Sequence, residues 1–249
     1  MRPLDEIKQK RRYEMFNYKS REKVLELNSF FGKYNMQFEE RIKKTFIYYD
    51  TPNKDLEKSN IILYKTVIGK FCELNMATDK TNVSSRYNYR IYAKHFQKQI
   101  KPNDKILRHK EFLIDSFKGM FLSSINFDPE FLLRKLEPAY IIETVSDEFR
   151  SVNLSGLKIT YSFDRDFYTN CFSGIKTETN IMTIYQHSGE KTDEDFEDLN
   201  SKLIRYCKEL TPVNSSKINL ARKNTQEKLE QIQKAKAEKD KAKLLKKKK

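Results

Sequence analysis

The sequence predicts an α+β fold in which long antiparallel strands are interrupted by helices. Stretches rich in β-branched and aromatic residues recur along most of the chain, and residues 86–92 alternate with period two. Other stretches repeat apolar residues at helical spacing, as at Val24, Leu27 and Phe31. Strands and helices do not alternate one for one, which argues against a parallel sheet built from βαβ units.

The N-terminal half predicts a strand, a helix and then several strands. Residues 4–12 are polar and are expected to be helical or loose, whereas residues 13–18 have the composition of a short aromatic-rich strand. Ser20 is a candidate N-cap for a helix that stops at Gly32. The later predicted strands are residues 45–49, 60–66, 70–76 and 86–92. Gly69 separates two of them and predicts the turn of a hairpin.

The second half predicts helices on both sides of a group of three strands. Residues 111–122 have the apolar spacing of a helix, and Asp128 and Pro129 supply the N-cap and first residue of another. The three β-rich stretches are residues 139–145, 157–163 and 180–187. The acidic run 193–198 opens a further helix, and Pro212 is expected to stop it.

The C-terminal residues carry most of the basic excess. The formal net charge is +14, and residues 221–249 contain twelve basic and four acidic residues, which gives +8. Residues 224–249 have helix-forming composition with few apolar side chains, so a solvated helical or disordered tail is expected. The alternative is a tail whose lysines dock acidic lipid, nucleic acid or a protein partner. The total charge therefore does not show that the folded domain binds an anion.

Composition favours a cytoplasmic protein. The chain has no apolar run near the roughly 20 residues of a membrane-spanning helix, and its charged start lacks the apolar segment of a signal peptide. Peripheral attachment to a membrane stays open because of the basic tail. Cys72, Cys171 and Cys207 are odd in number and widely spaced, which favours free thiols over disulfides or a zinc site.

The most specific motif lies at residues 48–56, which read YYDTPNKDL. An apolar strand-like run breaks there at Asp-Thr-Pro and is followed by Asp-Leu. This pattern resembles the signature of the CYTH-like group, which includes triphosphatases, adenylate cyclases and the VTC polyphosphate polymerase domain. The resemblance implies an antiparallel β-barrel with flanking helices, whose tunnel is lined with Arg, Lys and Glu and grips a triphosphate or polyphosphate.

Further stretches carry the resemblance, which is nearest to the VTC-like members. Residues 11–16 (RRYEMF) are similar to the first strand of that family, and residues 70–75 (KFCELN) to a strand ending in Leu-Glu-x-Lys. Residues 156–165 contain LKIT and DR, which resemble a Leu-Arg-Ile-Thr and Asp-Arg strand, and residues 215–218 resemble a closing Ser-Lys-Tyr. The implied parts are an N-terminal extension (1–10), a tunnel domain (11–222) and a Lys-rich tail (223–249).

Basic residues at the implied tunnel positions are the candidate phosphate ligands. Every second residue of a strand points to the same side, so cations from several strands can converge on a phosphate chain. The candidates are Arg12, Lys65, Arg86, Arg90, Lys158, Arg165 and Lys217. Arg86 and Arg90 are the best supported because they share a face of one predicted strand. The same tyrosine-rich stretch could instead stack single-stranded bases.

The resemblance also implies Mn²⁺ or Mg²⁺, which the family holds with glutamates during phosphoryl transfer. The candidate metal ligands are Glu14, Glu73 and Glu143. Several other charges of the family pattern are replaced by neutral side chains, at Phe16, Tyr64, Thr66, Asn75, Thr183 and Tyr185. These replacements bring catalysis into question, and no catalytic residue is assigned.

Two functions are therefore expected. The first is a protein that binds polyphosphate, a nucleoside triphosphate or a triphosphate-ended RNA and, if active, works as a metal-dependent phosphotransferase or triphosphatase. The second is a non-catalytic scaffold of the same fold that docks a protein, acidic lipid or nucleic acid through its basic tail. The resemblance favours the first.

Overall fold

The strands and helices of the chain are seen in a computed structural model that describes residues 7–32, 36–78, 95–120, 128–152, 158–187 and 193–246. The strands are β1 (Ile7–Met15), β2 (Gln37–Asp50), β3 (Ile61–Ile68), β4 (Phe71–Thr78), β5 (His95–Gln99), β6 (Glu137–Val152), β7 (Lys158–Asn170), β8 (Lys176–His187) and β9 (Leu210–Pro212). The helices are α1 (Ser20–Gly32), α2 (Asp55–Lys58), α3 (Lys110–Met120), α4 (Pro129–Lys135), α5 (Asp193–Tyr206) and α6 (Lys217–Lys246). The α+β class is confirmed.

All nine described strands belong to one antiparallel sheet. Their order across the sheet is β5-β4-β3-β2-β6-β7-β8-β1-β9. β5 and β9 are its two edge strands, and no hydrogen-bonded ladder joins them to each other within the described residues. The closed barrel that the resemblance implied is therefore wrong for this part of the chain, which forms an open sheet.

Local signals predicted several element ends correctly. Asp128 caps α4, since its carboxylate accepts the backbone N–H of Glu130 at 2.9 Å. Gly69 lies between β3 and β4 with φ +57°, a conformation that glycine adopts without strain. α1 spans the predicted residues, although Asn17 caps it by accepting the Ser20 N–H at 3.1 Å. The predicted strand 86–92 lies outside the described residues.

Two predicted boundaries are wrong for tertiary reasons. Residues 7–12 are not helical or loose but belong to β1, because they pair with β8, where Lys10 lies opposite Tyr185. Pro212 does not stop the preceding helix: α5 ends at Tyr206, and Pro212 lies in β9 opposite Tyr13. In both places strand pairing with a distant segment overrides the local composition.

The sheet has two chemically different faces. The apolar face carries Tyr13, Phe163 and Leu63 and is covered by helices in two clusters. One cluster packs this face against α1 and α5, and the other packs it against α3 and α4. Alternation of side chains turns the neighbouring strand residues to the opposite face, which we call the polar face and which carries Arg12, Asp164 and Tyr64.

The described residues also show the state of the cysteines and the character of the helices. Cys72, Cys171 and Cys207 are free, as the sequence predicts, and only Cys171 is exposed. Among the described helices, none combines the length and the apolar character that a membrane span requires.

Candidate phosphate-binding face

The polar face gathers positions that lie far apart in the sequence. Across strands β1, β8 and β7, Arg12 pairs with Thr183, which in turn pairs with Ser162. Across strands β3 and β4, Tyr64 pairs with Asn75, and the next pair on the same face joins Thr66 to Glu73. Residues taken from the separate motifs of the resemblance therefore share one face.

A lysine holds the middle of the polar face. The Nζ atom of Lys217, the first residue of α6, donates to Asp164 Oδ2 at 2.8 Å and to Asp166 Oδ1 and Oδ2 at 2.6 and 2.8 Å. It also lies 3.3 Å from the hydroxyl of Thr144. The side chain of Asp166 is 0% exposed, that of Asp164 9% and that of Lys217 18%. Two carboxylates around one ammonium leave this buried cluster with one net negative charge.

Hydroxyl groups complete the cluster around Lys217. Ser146 and Ser162 each donate to Asp164 Oδ1 at 2.7 Å, and the Tyr168 hydroxyl lies 3.3 Å from Asp166. Burial raises the pKa of Asp164, but Lys217 and the two serine hydroxyls outweigh it and hold the pKa below its ordinary value. Both aspartates thus have hydrogen-bonding partners, as buried polar groups require.

Aromatic and aliphatic side chains fill the part of the polar face next to this cluster. Tyr48 and Tyr64 stack with ring centroids 5.2 Å apart. The start of α6 covers them, because Ile218 and Leu220 pack with Tyr48, Tyr140 and Ile142 in one buried cluster. Burial is the main cause that raises the pKa of Tyr48, and the neighbouring Tyr64 adds to it. Among the described residues, this part of the face is therefore filled by apolar packing and covered by α6.

A basic cavity of about 490 Å³ lies at the edge of β1. Its walls include Lys10, Arg11, Arg12, Glu197, Ser215 and Ser216. The Arg12 guanidinium donates to the Ser215 carbonyl, and Arg11 forms an ion pair with Glu197. Three basic side chains and one carboxylate give these walls two net positive charges, which suits an anionic ligand.

The seven predicted phosphate ligands do not form one group. Arg12 and Lys158 lie on the polar face, Lys158 at the exposed start of β7. Lys65 and Arg165 were assigned to the wrong face: Lys65 donates to the carbonyl of Asp104 at 3.1 Å, and Arg165 pairs with Glu178 at 2.8 Å. Strand alternation turns both away from Arg12.

The remaining three predicted ligands differ in what surrounds them. Lys217 lies on the polar face, but its charge is already offset by Asp164 and Asp166. Arg86 and Arg90 lie outside the described residues.

The predicted metal ligands do not come together. Glu14 and Glu73 share the polar face, but β3, β2, β6, β7 and β8 lie between their strands in the sheet. Glu143 is exposed on the other face, because its strand neighbours Thr144 and Ile142 face Asp166 and Tyr168. Within the described residues, no group of three His, Cys, Asp or Glu side chains could hold a metal ion. The residues proposed for Mn²⁺ or Mg²⁺ therefore do not fit that role.

Glu73 has a different set of contacts. Its two carboxylate oxygens accept from Asn75 Nδ2 and Gln97 Nε2, both at 3.1 Å. Asn75 is also joined to His95, whose Nε2 lies 3.0 Å from the amide oxygen. Two side-chain amides thus occupy this carboxylate, and together with His95 the side chains form a polar network at the edge of the sheet made by β4 and β5.

Sequence reasoning missed Lys10, Asp164 and Asp166. Lys10 was hidden by the wrong expectation that residues 7–12 are not a strand. The two aspartates had a usable signal, because polar residues stand at every second position of β7, at 160, 162, 164 and 166, and the residues between them are aromatic except for Arg165. What no local pattern contains is their partner, Lys217, which follows β7 much later in the chain.

Comparisons with known proteins give weak likenesses only. No model of a protein family matches the sequence, and no curated protein matches it. Solved structures do match, among them a protein of Pyrococcus horikoshii at 13% identity, with 87% of this chain and 99% of that chain covered and a TM-score of 0.45.

Two further solved structures are similar to a comparable degree. A proposed adenylyl cyclase of Hippeastrum with a dominant triphosphatase activity has 10% identity, covers 86% and 95% of the two chains and gives a TM-score of 0.42. A proposed adenylate cyclase of Bacillus halodurans has 11% identity, covers 86% and 96%, and gives 0.44. At these TM-scores none of the likenesses carries an argument about fold or function.

Proposed function

We propose that this chain is a VTC-like member of the CYTH-like group that binds a triphosphate or polyphosphate without catalysing phosphoryl transfer. The observation that carries the proposal is the convergence of separate motifs on the polar face. Arg12, Thr183 and Glu73 come from three different motifs of the resemblance, and the strand register turns all three to the same side.

The ligand is expected at the end of the sheet where β1 and β7 begin. Lys10, Arg12 and Lys158 supply positive charge there, and the cavity beside Arg12 is large enough for several phosphate groups. Farther along the face, the buried cluster of Lys217 with Asp164 and Asp166 is net negative and disfavours phosphate. Charge thus favours one end of the polar face over the other.

The positions and contacts of the candidate metal-binding carboxylates support the proposed lack of catalysis. Phosphoryl transfer needs developing charge to be offset by metal ions or converging cations. Glu143 faces away from Glu14 and Glu73, and Glu73 is occupied by Asn75 and Gln97. A ligand would be held without groups arranged to activate a phosphoryl oxygen.

Titration calorimetry with tripolyphosphate and long-chain polyphosphate tests the proposal. The double variant Lys10→Ala with Arg12→Ala should weaken binding by about 10- to 100-fold, the cost of losing one or two charged contacts. The matched control is Arg165→Ala, which removes an exposed arginine that pairs with Glu178 on the opposite face. Its affinity should equal that of the unaltered chain.

Two outcomes would overturn the proposal. One is the absence of binding to either phosphate compound by a chain that ends at Gln226 and so lacks most of the basic tail. The other is steady release of phosphate in the presence of Mn²⁺ or Mg²⁺, which would identify an enzyme.

Arg86 and Arg90 stay part of the proposal as predicted ligands. Changing both to Ala should weaken phosphate binding by roughly 2 to 5 kcal/mol without unfolding the chain, on the scale of charged hydrogen bonds. Unchanged affinity would remove them from the site.

A further inference from the structure

The long helix α6 has a buried beginning and an exposed continuation. Ile218, Leu220 and Ala221 are buried, and Asn224 still donates to Thr179 at 2.6 Å. From Gln226 to Lys241 every side chain except Leu229 is exposed. Residues 226–246 rise about 1.5 Å each, so roughly 30 Å of helix extends beyond the part that packs on the sheet.

The exposed continuation is basic on two opposite sides. Residues 226–249 contain ten lysines and four acidic residues, an excess of six positive charges. They contain no arginine and no aromatic residue. At about 100° per residue, Lys228, Lys236 and Lys239 fall on one side of the helix, and Lys234 and Lys241 fall on roughly the opposite side.

This composition discriminates between the possible partners. Insertion at a membrane surface needs a helix with a continuous apolar face, and the large apolar residues of α6 beyond Gln226 are only Leu229, Ile232, Leu244 and Leu245, in two pairs that lie twelve residues apart. Tight protein interfaces depend on aromatic or arginine anchors, which the segment lacks. Lysines on opposite sides of a rod suit a polymer of regularly spaced negative charges, because each lysine can meet a phosphate without a fixed geometry.

We propose that the exposed part of α6 is a docking element for the phosphate backbone of double-stranded DNA. A helix with its side chains is about 10–12 Å wide, which matches the roughly 12 Å major groove of B-form DNA. Lysines on opposite sides can then reach both groove walls. The major groove of duplex RNA is too narrow for a helix. The proposal does not depend on phosphate binding at Arg12, since it concerns different residues.

Fluorescence anisotropy with a labelled 20-base-pair DNA duplex, measured between 50 and 200 mM salt, tests this inference. The variant replaces Lys228, Lys234, Lys236, Lys239 and Lys241 by Gln, which is nearly as favourable in a helix. We expect at least a 10-fold loss of affinity at 100 mM salt. The slope of log affinity against log salt should fall by roughly four to five if each lysine meets one phosphate.

A second five-site variant controls for net charge. It replaces exposed lysines of the sheet domain by Gln, namely Lys19, Lys58, Lys70, Lys101 and Lys105. Affinity for DNA should change less than 3-fold in this variant. Circular dichroism of both variants should show unchanged helix content, which separates lost contacts from lost structure.

Three results would overturn the inference. The first is equal loss of affinity in the two variants, which would indicate attraction by net charge alone. The second is binding to poly-glutamate, or to vesicles containing phosphatidylserine, that is as tight as binding to DNA at equal charge. The third is tighter binding to duplex RNA than to duplex DNA.

Discussion

The helix-covered clusters of the apolar face and the ion cluster around Lys217 on the polar face are stabilised in opposite ways. On the apolar face, Phe163 and Leu63 are buried under helices, and their stability comes from removing apolar surface from water. On the polar face, Lys217 and two aspartates are buried together, and stability depends on each charge keeping its partner. Burial of apolar groups is non-directional, whereas an ion cluster depends on every member being present.

This difference decides how each face responds to sequence change. An apolar side chain that is shortened leaves a cavity whose cost depends on local relaxation. A charge that is removed from a buried cluster leaves its partners uncompensated, and the partners cannot relax by moving closer. The ion cluster around Lys217 should therefore tolerate single substitutions less well and paired substitutions better.

The largest effect is expected at Lys217. Lys217→Met leaves Asp164 and Asp166 buried without their cation, so the free energy of unfolding should fall by about 3–5 kcal/mol. Urea denaturation at pH 7 measures this loss. Adding Asp166→Asn should recover part of it, and Lys223→Met, which changes an exposed lysine of the same helix, should alter stability by about 0.5 kcal/mol at most. Equal effects of Lys217→Met and Lys223→Met would contradict the comparison.

A core truncation on the apolar face should cost slightly less. Leu63→Ala removes a side chain that is 1% exposed, and the expected loss is about 3 kcal/mol. Leu107→Ala is the control, since that leucine is 52% exposed and should change the free energy of unfolding by about 0.5 kcal/mol at most. Urea denaturation again gives the answer, and a small effect at Leu63 would mean that the helices do not pack as described.

Acid should lower the free energy of unfolding, because both faces of the sheet contain buried aspartates. On the apolar face, Arg41, Tyr18 and Arg21 hold the pKa of Asp147 below its ordinary value, with the Arg41 hydrogen bond as the main cause. The pKa of Asp164 is lowered as well. A depressed folded-state pKa gives stability that is complete above the unfolded pKa near 4 and is lost as pH falls through the folded pKa.

The measurement is the urea midpoint followed from pH 7 down to pH 3. Asp147→Asn should lower stability at pH 7 by about 1.5–3 kcal/mol and flatten the decline below pH 5. Asp50 acts in the opposite sense. Burial raises the pKa of Asp50, so its contribution to the free energy of unfolding becomes more favourable as pH falls. A stability that rises steadily on acidification would show that Asp50 outweighs the other two.

The smallest effect is expected at a helix end that belongs to neither face. Asp128→Ala removes the oxygen that accepts the N–H groups of Glu130 and Phe131 at the start of α4. The expected cost is about 1 kcal/mol, measured by thermal or urea unfolding. Asp128→Asn keeps an accepting oxygen and should restore most of the loss, whereas an equal loss in both variants would argue for a role of the charge.

Much of the fold could be predicted because its signals are local. Gly69 in the β3–β4 turn, Asp128 at the start of α4 and the apolar spacing of α1 all act within a few residues. β1 could not be bounded in this way, because Lys10 and Arg12 are in a strand only by virtue of pairing with β8. The sequence also could not show which face of the sheet Lys65 and Arg165 occupy. Alternation fixes which residues of a strand share a face, but not which of the two faces is the polar one.

By itself the sequence determined the α+β class, several helix ends and the free cysteines, because these follow from backbone preference, apolar spacing and cysteine count. Only the tertiary structure decided that the sheet is open in its described part, that Glu143 faces away from Glu14, and that Lys217 closes on Asp164 and Asp166. The physical reason is that ion pairing and strand register join segments distant in the chain. Their energies depend on burial and geometry, which no stretch of sequence contains.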